Sequence, residues 1–258
     1  MQGAADFLRE APFIVFAFAF GLPALLAAAM GWAALWSRRN ARALAAMAET
    51  TVDRLAAGPC LASGRTPATS GLKAPLTGRP CIWAEAVVDR VVERRDSDGK
   101  DRRLEWQRVR EEVTERPVRI EWNGAAATAD PEGATVFHSG WSEWYGPDET
   151  PGTPDPEIRP GTESFAGGGR FEVLSDPARR FRFRERYILP GDPVFVLGEA
   201  RPGKGGFTIG PAAGRPYLIS TRSPDAIGSE SRQALTGGLI MAAIFAAVAI
   251  AVAWLRFA

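Results

Sequence analysis

Two uncharged runs, one at each end, constrain this chain more than any other feature. About 27 residues without a charge lie between Glu10 and Arg38, and about 23 between Arg232 and Arg256; a helix needs about 20 to cross the hydrocarbon core. The first run predicts a transmembrane helix over residues 11–36, with Phe13 to Trp36 as the span. Trp32 and Trp36 then sit at the headgroup depth that indoles favour, and Pro23 can kink the helix, which neighbouring helices tolerate. A cleaved signal peptide fits less well. Asp6 and Glu10 oppose Arg9, and the apolar run continues past any small-residue cleavage site. The second run predicts a transmembrane helix over residues 235–255. Neither run contains an ionisable residue, so nothing supports an ion path through them. Small residues recur four apart at Ala27 and Gly31 and at Gly238, Ala242 and Ala246, a pattern that lets helices approach closely. The expected partners are therefore the lipid bilayer and, through these stripes, helix–helix self-association.

The interior of the chain argues against several functions. Lys and Arg number 31 and Asp and Glu 30, a net charge of +1, which argues against a nucleic-acid partner. Only two cysteines, Cys60 and Cys81, and one histidine, His138, are present. That is too few for a disulfide framework or a structural zinc site. One disulfide between them is an option; two half-buried strand thiols is the plainer reading. His138 ends a predicted strand, TVFHSG, and has no G-x-S-x-G serine to serve. Gly167-Gly168-Gly169 lacks the G-K-[ST] of a phosphate loop. Asp148, Glu149, Asp155 and Glu157 are dispersed among prolines, as in a solvated loop. No catalytic residue, cofactor or metal is expected.

Between the membrane runs, residues 37–57 read as a juxtamembrane amphipathic helix. Leu44, Met47, Thr51 and Leu55 recur at helical spacing, and Arg38, Arg39 and Arg42 lie in its first turns. It either lies in the interface among anionic headgroups or continues the membrane helix and packs on the soluble domain. Gly58-Pro59 ends it. Residues 58–222 read as a β-rich domain. Short strands are expected at Cys60–Ala68, Cys81 to about Arg94 and Arg102–Thr114, with a DSDGK hairpin turn between the last two and a bulge near Gln107. A meander comes next at 118–122, 125–129 and 134–137, turning at Asn123-Gly124 and Pro131-Glu132-Gly133. Residues 140–170 are Pro/Gly-rich and read as a long loop. Trp141, Trp144 and Tyr145 at its start either form an exposed interaction patch or cap the β-core. Arg180–Ile188 reads as a strand with Arg182, Arg184 and Arg186 on one face. That face either grips an anionic ligand or is solvated and paired with acids such as Glu111 and Glu112.

The sharpest local pattern is Ala74–Val88, APLTGRPCIWAEAVV. Pro75 and Gly78 mark a turn and Pro80 stiffens a strand entry. Ile82, Ala84, Ala86 and Val88 then alternate with Cys81, Trp83, Glu85 and Val87. A leucine (Leu76), then TGRPC through Gly78, Arg79, Pro80 and Cys81, then an aromatic (Trp83) resembles the core motif of the GIDE family. A second block, Arg184–Ala200, RERYILPGDPVFVLGEA, matches the family's other strong motif. It carries Glu185, the residues of a type II turn at Pro190-Gly191-Asp192, and Gly198. YLIS at Tyr217–Ser220 is a weaker third match, and Gly64, in the strand expected at Cys60–Ala68, fits the family's glycine in that strand.

The resemblance implies a membrane-flanked β-domain, and it brings the label of an E3 ubiquitin ligase. Ligases of the family bind two zinc ions in a RING through about eight Cys/His ligands, which two Cys and one His cannot supply. The expectation is thus a bacterial form without the RING. Its soluble domain is mainly β, a small barrel or sandwich, flanked by two transmembrane α-helices. Parallel-sheet folds are disfavoured because no helix-length pattern separates the strands. The expected role is a non-enzymatic membrane-anchored binding or scaffold module with an unknown protein partner. The rivals are a ligase-like adaptor and an enzyme of unrecognised type using the Arg/Glu strand. Arg38, Arg39, Arg42, Arg222 and Arg232 outnumber Arg9 and Arg256 beside the membrane runs. The charge rule therefore predicts an integral protein of the bacterial inner membrane with its soluble domain in the cytoplasm.

Overall fold

A computed structural model describes residues 20–32, 46–95, 102–152, 156–160, 179–203 and 205–257. The chain divides into two units, Met47–Ser223 and a second made of Met1–Ala46 with Pro224–Ala258.

Among its described residues the first unit is mainly β. Its strands are β1 (Glu49–Thr51), β2 (Gly58–Arg65), β3 (Trp83–Arg95), β4 (Arg102–Val113), β5 (Val118–Trp122), β6 (Ala125–Ala129), β7 (Thr135–Phe137), β8 (Gly140–Gly146), β9 (Arg159–Pro160), β10 (Phe181–Ile188), β11 (Pro193–Gly203), β12 (Gly206–Gly210) and β13 (Leu218–Ser220). An eight-stranded sheet runs β1-β2-β5-β6-β12-β11-β13-β7, and β2 also pairs with β11. That extra pairing closes β2, β5, β6, β12 and β11 into a ring. Numbered along the chain, the ring runs first, second, third, fifth, fourth. Its one parallel pairing joins β6 to β12. This is the strand order of the five-stranded OB-type barrel.

The barrel is filled by inward positions of the period-two pattern. Val118, Ile120, Val194, Val196, Ile209 and Ile219 are fully buried in one cluster with Trp83, each stabilising by about 1.5–3 kcal/mol relative to exposure. The seam between β2 and β5 is a single pair, Arg65 opposite Glu121. Beside it β1 lies parallel on β2, and the 3-10 turn Val52–Arg54 sends Val52 into the core.

The second sheet runs β4-β3-β10-β8-β9. It is built from two connections of the barrel: β3 and β4 leave between β2 and β5, and β8, β9 and β10 between β6 and β11. The barrel expectation thus holds, with a second sheet grown from its loops.

Several local expectations change. The juxtamembrane helix expected over 37–57 is replaced, in its described part, by β1 and the 3-10 turn. Thr50, Thr51 and Val52 are β-branched and stiff at χ1, and Val52 and Leu55 gain more by entering the barrel core; residues 37–45 of that expectation lie outside the described residues. The long loop expected over 140–170 begins with a strand, β8, which pairs with β10 along its whole length. Its aromatic GWSEWYG sequence suits a pleated surface, and the Pro/Gly composition belongs to the residues after Gly146. The expected meander stops after β6: β7 pairs with β13 in parallel. The bulge lies opposite Val88 and Asp89, where Arg110 and Arg108 are partners and Val109 is extra. The DSDGK turn lies outside the described residues.

Among the described residues the second unit contains two apolar helices, α1 (Phe20–Trp32) and α2 (Pro224–Phe257). Pro224 suits a first helical position, where its missing N–H costs nothing. Within α2, Thr236–Trp254 is long and apolar enough to cross a membrane. Leu239, Ile240, Ile244, Ile250 and Trp254 are at least half exposed on it, as on a helix whose surroundings are lipid. The described part of α1 is shorter than a full span.

Candidate functional site

The Ala74–Val88 stretch and the Arg184–Ala200 stretch meet in space. Residues 72–81 form a loop that closes on itself. The Ala74 N–H donates to the Arg79 carbonyl at 2.8 Å, the Gly78 N–H to the Ala74 carbonyl at 2.9 Å and the Cys81 N–H to the Leu72 carbonyl at 3.1 Å. Gly78, at φ +68, makes the left-handed step that this closure needs. Pro75 is exposed at the tip, and Pro80 lies in an isolated bridge with Lys73. The closed loop turns two successive amides toward β10. Leu76 N–H donates to Glu185 Oε1 at 2.7 Å and Thr77 N–H to Oε2 at 3.2 Å. The hydroxyls of Thr77, at 2.6 Å, and Tyr187, at 2.9 Å, donate to the same Oε2. Arg79 ties the loop a second time, donating from Nη2 to the Pro156 carbonyl at 2.5 Å.

Glu185 and Tyr187 are fully buried. A buried carboxylate is costly unless it is hydrogen-bonded, and charge-assisted donors compensate best. Here four donors surround it. That satisfies the carboxylate and occupies it with the chain's own donors. Burial pushes the Tyr187 phenol up to about 12. Burial, followed by the negative charge of Glu185, pushes the Cys81 thiol up to about 11, so Cys81 is a protonated, inert thiol at neutral pH. Cys60, buried in the barrel, is also raised by burial. The two cysteines are free.

The PGD turn is a type II turn. The Asp192 N–H donates to the Leu189 carbonyl at 3.3 Å, Pro190 precedes Gly191, and Gly191 has φ +82. Asp192 Oδ2 accepts from the Leu189 N–H at 2.7 Å. The turn docks on the end of β2: Thr66 Oγ1 donates to the Leu189 carbonyl at 2.9 Å and Arg65 Nη1 to the Gly191 carbonyl at 3.1 Å. Gly198 lies elsewhere, where β11 passes close to β12. A Cβ there would come within 2.6 Å of the Gly210 carbonyl oxygen and 3.0 Å of the Tyr217 ring. Tyr217 is buried beside it, with its hydroxyl on the carbonyls of Asp130 and Ile209. These motif residues thus serve packing and turn geometry.

The opposite face of the second sheet carries the arginines. Arg182 and Arg184 both reach Asp89 Oδ2 at 2.8 Å, and Arg186 reaches Glu85 at 3.0 Å. Glu111 and Glu112, the partners expected from sequence, pair with Arg108 and Arg110 instead. The register explains it: Asp89 is directly opposite Arg182 and Glu85 opposite Arg186. Aromatic rings share this face. Arg182 lies over Trp106 at 4.9 Å, Arg159 over Trp141 at 5.0 Å and Arg179 over Tyr145 at 5.6 Å. Burial pushes the Tyr145 phenol up to about 12, with its Glu143 contact adding to the shift. The aromatic trio is therefore split. Trp141 and Tyr145 are half-buried on the arginine face, while Trp144 turns to the other side and stacks on buried Phe183 at 5.4 Å.

A family model described as "GIDE: E3 Ubiquitin ligase" matches residues 160–254. The chain carries a partial GIDE match, consistent with membership in that family. The GIDE match covers β10 through β13 and most of α2 and leaves the TGRPC loop outside it. Glu185, inside the GIDE-matched segment, is the residue that holds that loop. No curated protein matches the chain, and no solved structure does.

Among the described residues no group of three or more His, Cys, Asp or Glu is placed to hold a metal ion. His138 is buried at the end of β7. Shallow grooves of about 560 and 430 Å³ follow the β3–β4 and β5–β6 ribbons, and neither contains Glu185. Sequence reasoning missed Thr77, Tyr187 and Asp89. Phe181, Phe183, Glu185 and Tyr187 share one strand face, so a lone carboxylate at an apolar position was the available signal.

Proposed function

We propose that this chain is a membrane-anchored, non-enzymatic binding or scaffold module of GIDE-like type, which presents the arginine–aromatic face of β8 and β10 to a protein partner. One observation carries this reading. The buried carboxylate best placed for chemistry is fully engaged by the chain's own loop. What remains partly exposed is a face of Trp141, Tyr145 and the edges of Arg182 and Arg186, residue types enriched at protein interfaces and their energetic centres. The second reading is an adaptor that recruits a separate catalytic partner. It is favoured by the ubiquitin-ligase description of the matching family. Two Cys and one His cannot build a RING, so the transfer chemistry is not assigned to this chain.

The anchors are α2 and the apolar run that contains α1. We propose that the β-unit faces the cytoplasm from a bacterial inner membrane, a reading that the excess of Arg on its side of the membrane runs supports. Photo-crosslinkers replacing Trp141 or Tyr145 in intact membranes are expected to give a discrete protein adduct. The same crosslinker replacing Thr208, exposed on the barrel, is expected to give none. Equal adducts from all three, or none from the first two, would reject the docking face. Orientation has its own test. Asp98→Cys, between β3 and β4, is expected to react with an impermeant maleimide only after permeabilisation. Labelling in intact cells would place the β-unit outside.

A further inference from the structure

The 72–81 loop is packed separately from the barrel. Ala74, Cys81, Ala84 and Tyr187 form a small cluster with Leu72, Ile158 and Leu189, whereas Cys60 belongs to the barrel cluster. The loop keeps its shape through its own backbone bonds, Ala74 to Arg79 and Cys81 to Leu72. Its polar ties to the rest of the unit include those to the Glu185 carboxylate and, through Arg79, to the Pro156 carbonyl. Successive backbone N–H groups converging on one point form an anion-binding concavity. Here two such groups and the hydroxyls of Thr77 and Tyr187 converge on one carboxylate, 2.6–3.2 Å away. That carboxylate reaches the site from β10, a strand distant in sequence. The four donors match the acceptor set of a carboxylate, whether or not it is covalently attached.

We propose that Leu76, Thr77 and Tyr187 form a carboxylate-binding site that the chain keeps filled with its own Glu185, and that filling it latches the 72–81 loop as a flap that opens independently of the barrel. Emptying the site leaves the flap on its Arg79 tie and its few apolar contacts, so that it opens more often and uncovers Cys81, while Cys60 stays enclosed. Local opening of this kind is expected where few apolar contacts hold a segment. The latch is independent of the proposed docking face, which lies on the opposite side of the sheet.

The two cysteines supply the test, because each reports on one cluster. The full chain in detergent micelles is prepared as Cys60→Ala, leaving Cys81, and as Cys81→Ala, leaving Cys60. Each is labelled with iodoacetamide under native conditions. Adding Glu185→Ala is expected to speed labelling of Cys81 by about tenfold or more and to leave Cys60 within about twofold. Sodium acetate at about 100 mM is then expected to slow Cys81 labelling in the Glu185→Ala background by about threefold, and sodium chloride of equal ionic strength to leave it unchanged. Equal acceleration of both thiols would mean that the unit loosens as a whole, and would overturn the flap. Unchanged Cys81 labelling would overturn the latch. Acetate and chloride acting alike would overturn the carboxylate site. Because Glu185→Ala also removes a charge that raises the Cys81 pKa, Thr77→Val, which keeps that charge and removes one donor, makes the same comparison and decides it, whether or not Glu185→Ala folds. Cys81 alone is then expected to react about threefold faster, and acceleration of both thiols or of neither overturns the proposal.

Discussion

Replacing Glu185 by Gln is the most informative single change, because it keeps the side chain's shape and removes its charge. The carboxylate accepts from Leu76 N–H, Thr77 N–H, Thr77 Oγ1 and Tyr187 Oη. An amide retains one acceptor oxygen, which can keep the Leu76 bond. Its NH₂ then faces the Thr77 N–H, and two donors oppose each other. The two hydroxyls can rotate to accept from the NH₂, so the main losses are one orphaned N–H and the charge assistance of the others. An orphaned buried donor costs about 1–3 kcal/mol, and hydrogen bonds to charged groups contribute about 1.5–3 against about 1 for neutral ones. The relief of carboxylate desolvation offsets part of this. The expected net loss is about 2–4 kcal/mol, a fall of roughly 4–16 °C in Tm for a domain of about 150–250 residues. Glu105→Gln is the control. It breaks the pair between Glu105 and Arg94, whose side chains are 45% and 76% exposed, and is expected to cost about 1 kcal/mol or less. Thermal and chemical denaturation of the full chain in detergent, followed by near-ultraviolet circular dichroism, measures both. A Tm for Glu185→Gln within about 2 °C of the parent, or an equal loss from Glu105→Gln, would refute the reasoning.

Gly64→Val should be severe, costing about 3 kcal/mol or more, because a Cβ there would meet Ile120 Cγ2 at 2.6 Å and the Glu121 carbonyl oxygen at 2.9 Å across the one-pair barrel seam; an unchanged denaturation midpoint would show that the seam can open at no cost. Gly191→Val should cost about 1–3 kcal/mol from backbone strain alone, since φ is +82 and nothing lies within 4 Å of the new Cβ; the same measurement checks it. Stability should also fall in alkali. Cys81 rises from 9.0 to about 11 and Tyr187 from 10.0 to about 12 in the folded state. A raised pKa favours the protonated form of the fold, so this contribution is complete below about pH 9 and is lost between roughly pH 9 and 12. Urea midpoints that stay level across that range would contradict it.

Much of the β-unit was legible in local pattern. The strands β3, β4, β5, β6, β10 and β11 follow alternation bounded by Gly, Pro and Asn, and the hairpin at Asn123-Gly124 carries the positive φ of +48 and +81 that its residues predict. β8 was not legible, because its GWSEWYG is short and is followed by a Pro/Gly-rich stretch whose composition dominates any window. β1 reads as helix in local pattern because Thr51 and Leu55 are four apart, a spacing that a strand and a 3-10 turn leading into a core reproduce by accident.

By itself, the sequence determined the properties that depend on neighbours along the chain. The uncharged runs set the membrane-compatible ends, since burial in lipid is a sum over consecutive residues. The Pro190-Gly191-Asp192 turn was set likewise, since φ preference belongs to single residues. Only the tertiary structure decided which strands close the ring, that β7 joins β13 rather than β6, and that Asp89 rather than Glu111 answers the arginines. Only it brought Glu185 to the amides of Leu76 and Thr77, more than a hundred positions away in the chain. Register and loop closure depend on the free energy of the whole sheet, and a one-residue slip would move every side chain to the other face. That choice joined the two motifs at a buried carboxylate and left the arginine–aromatic face on the other side of the sheet.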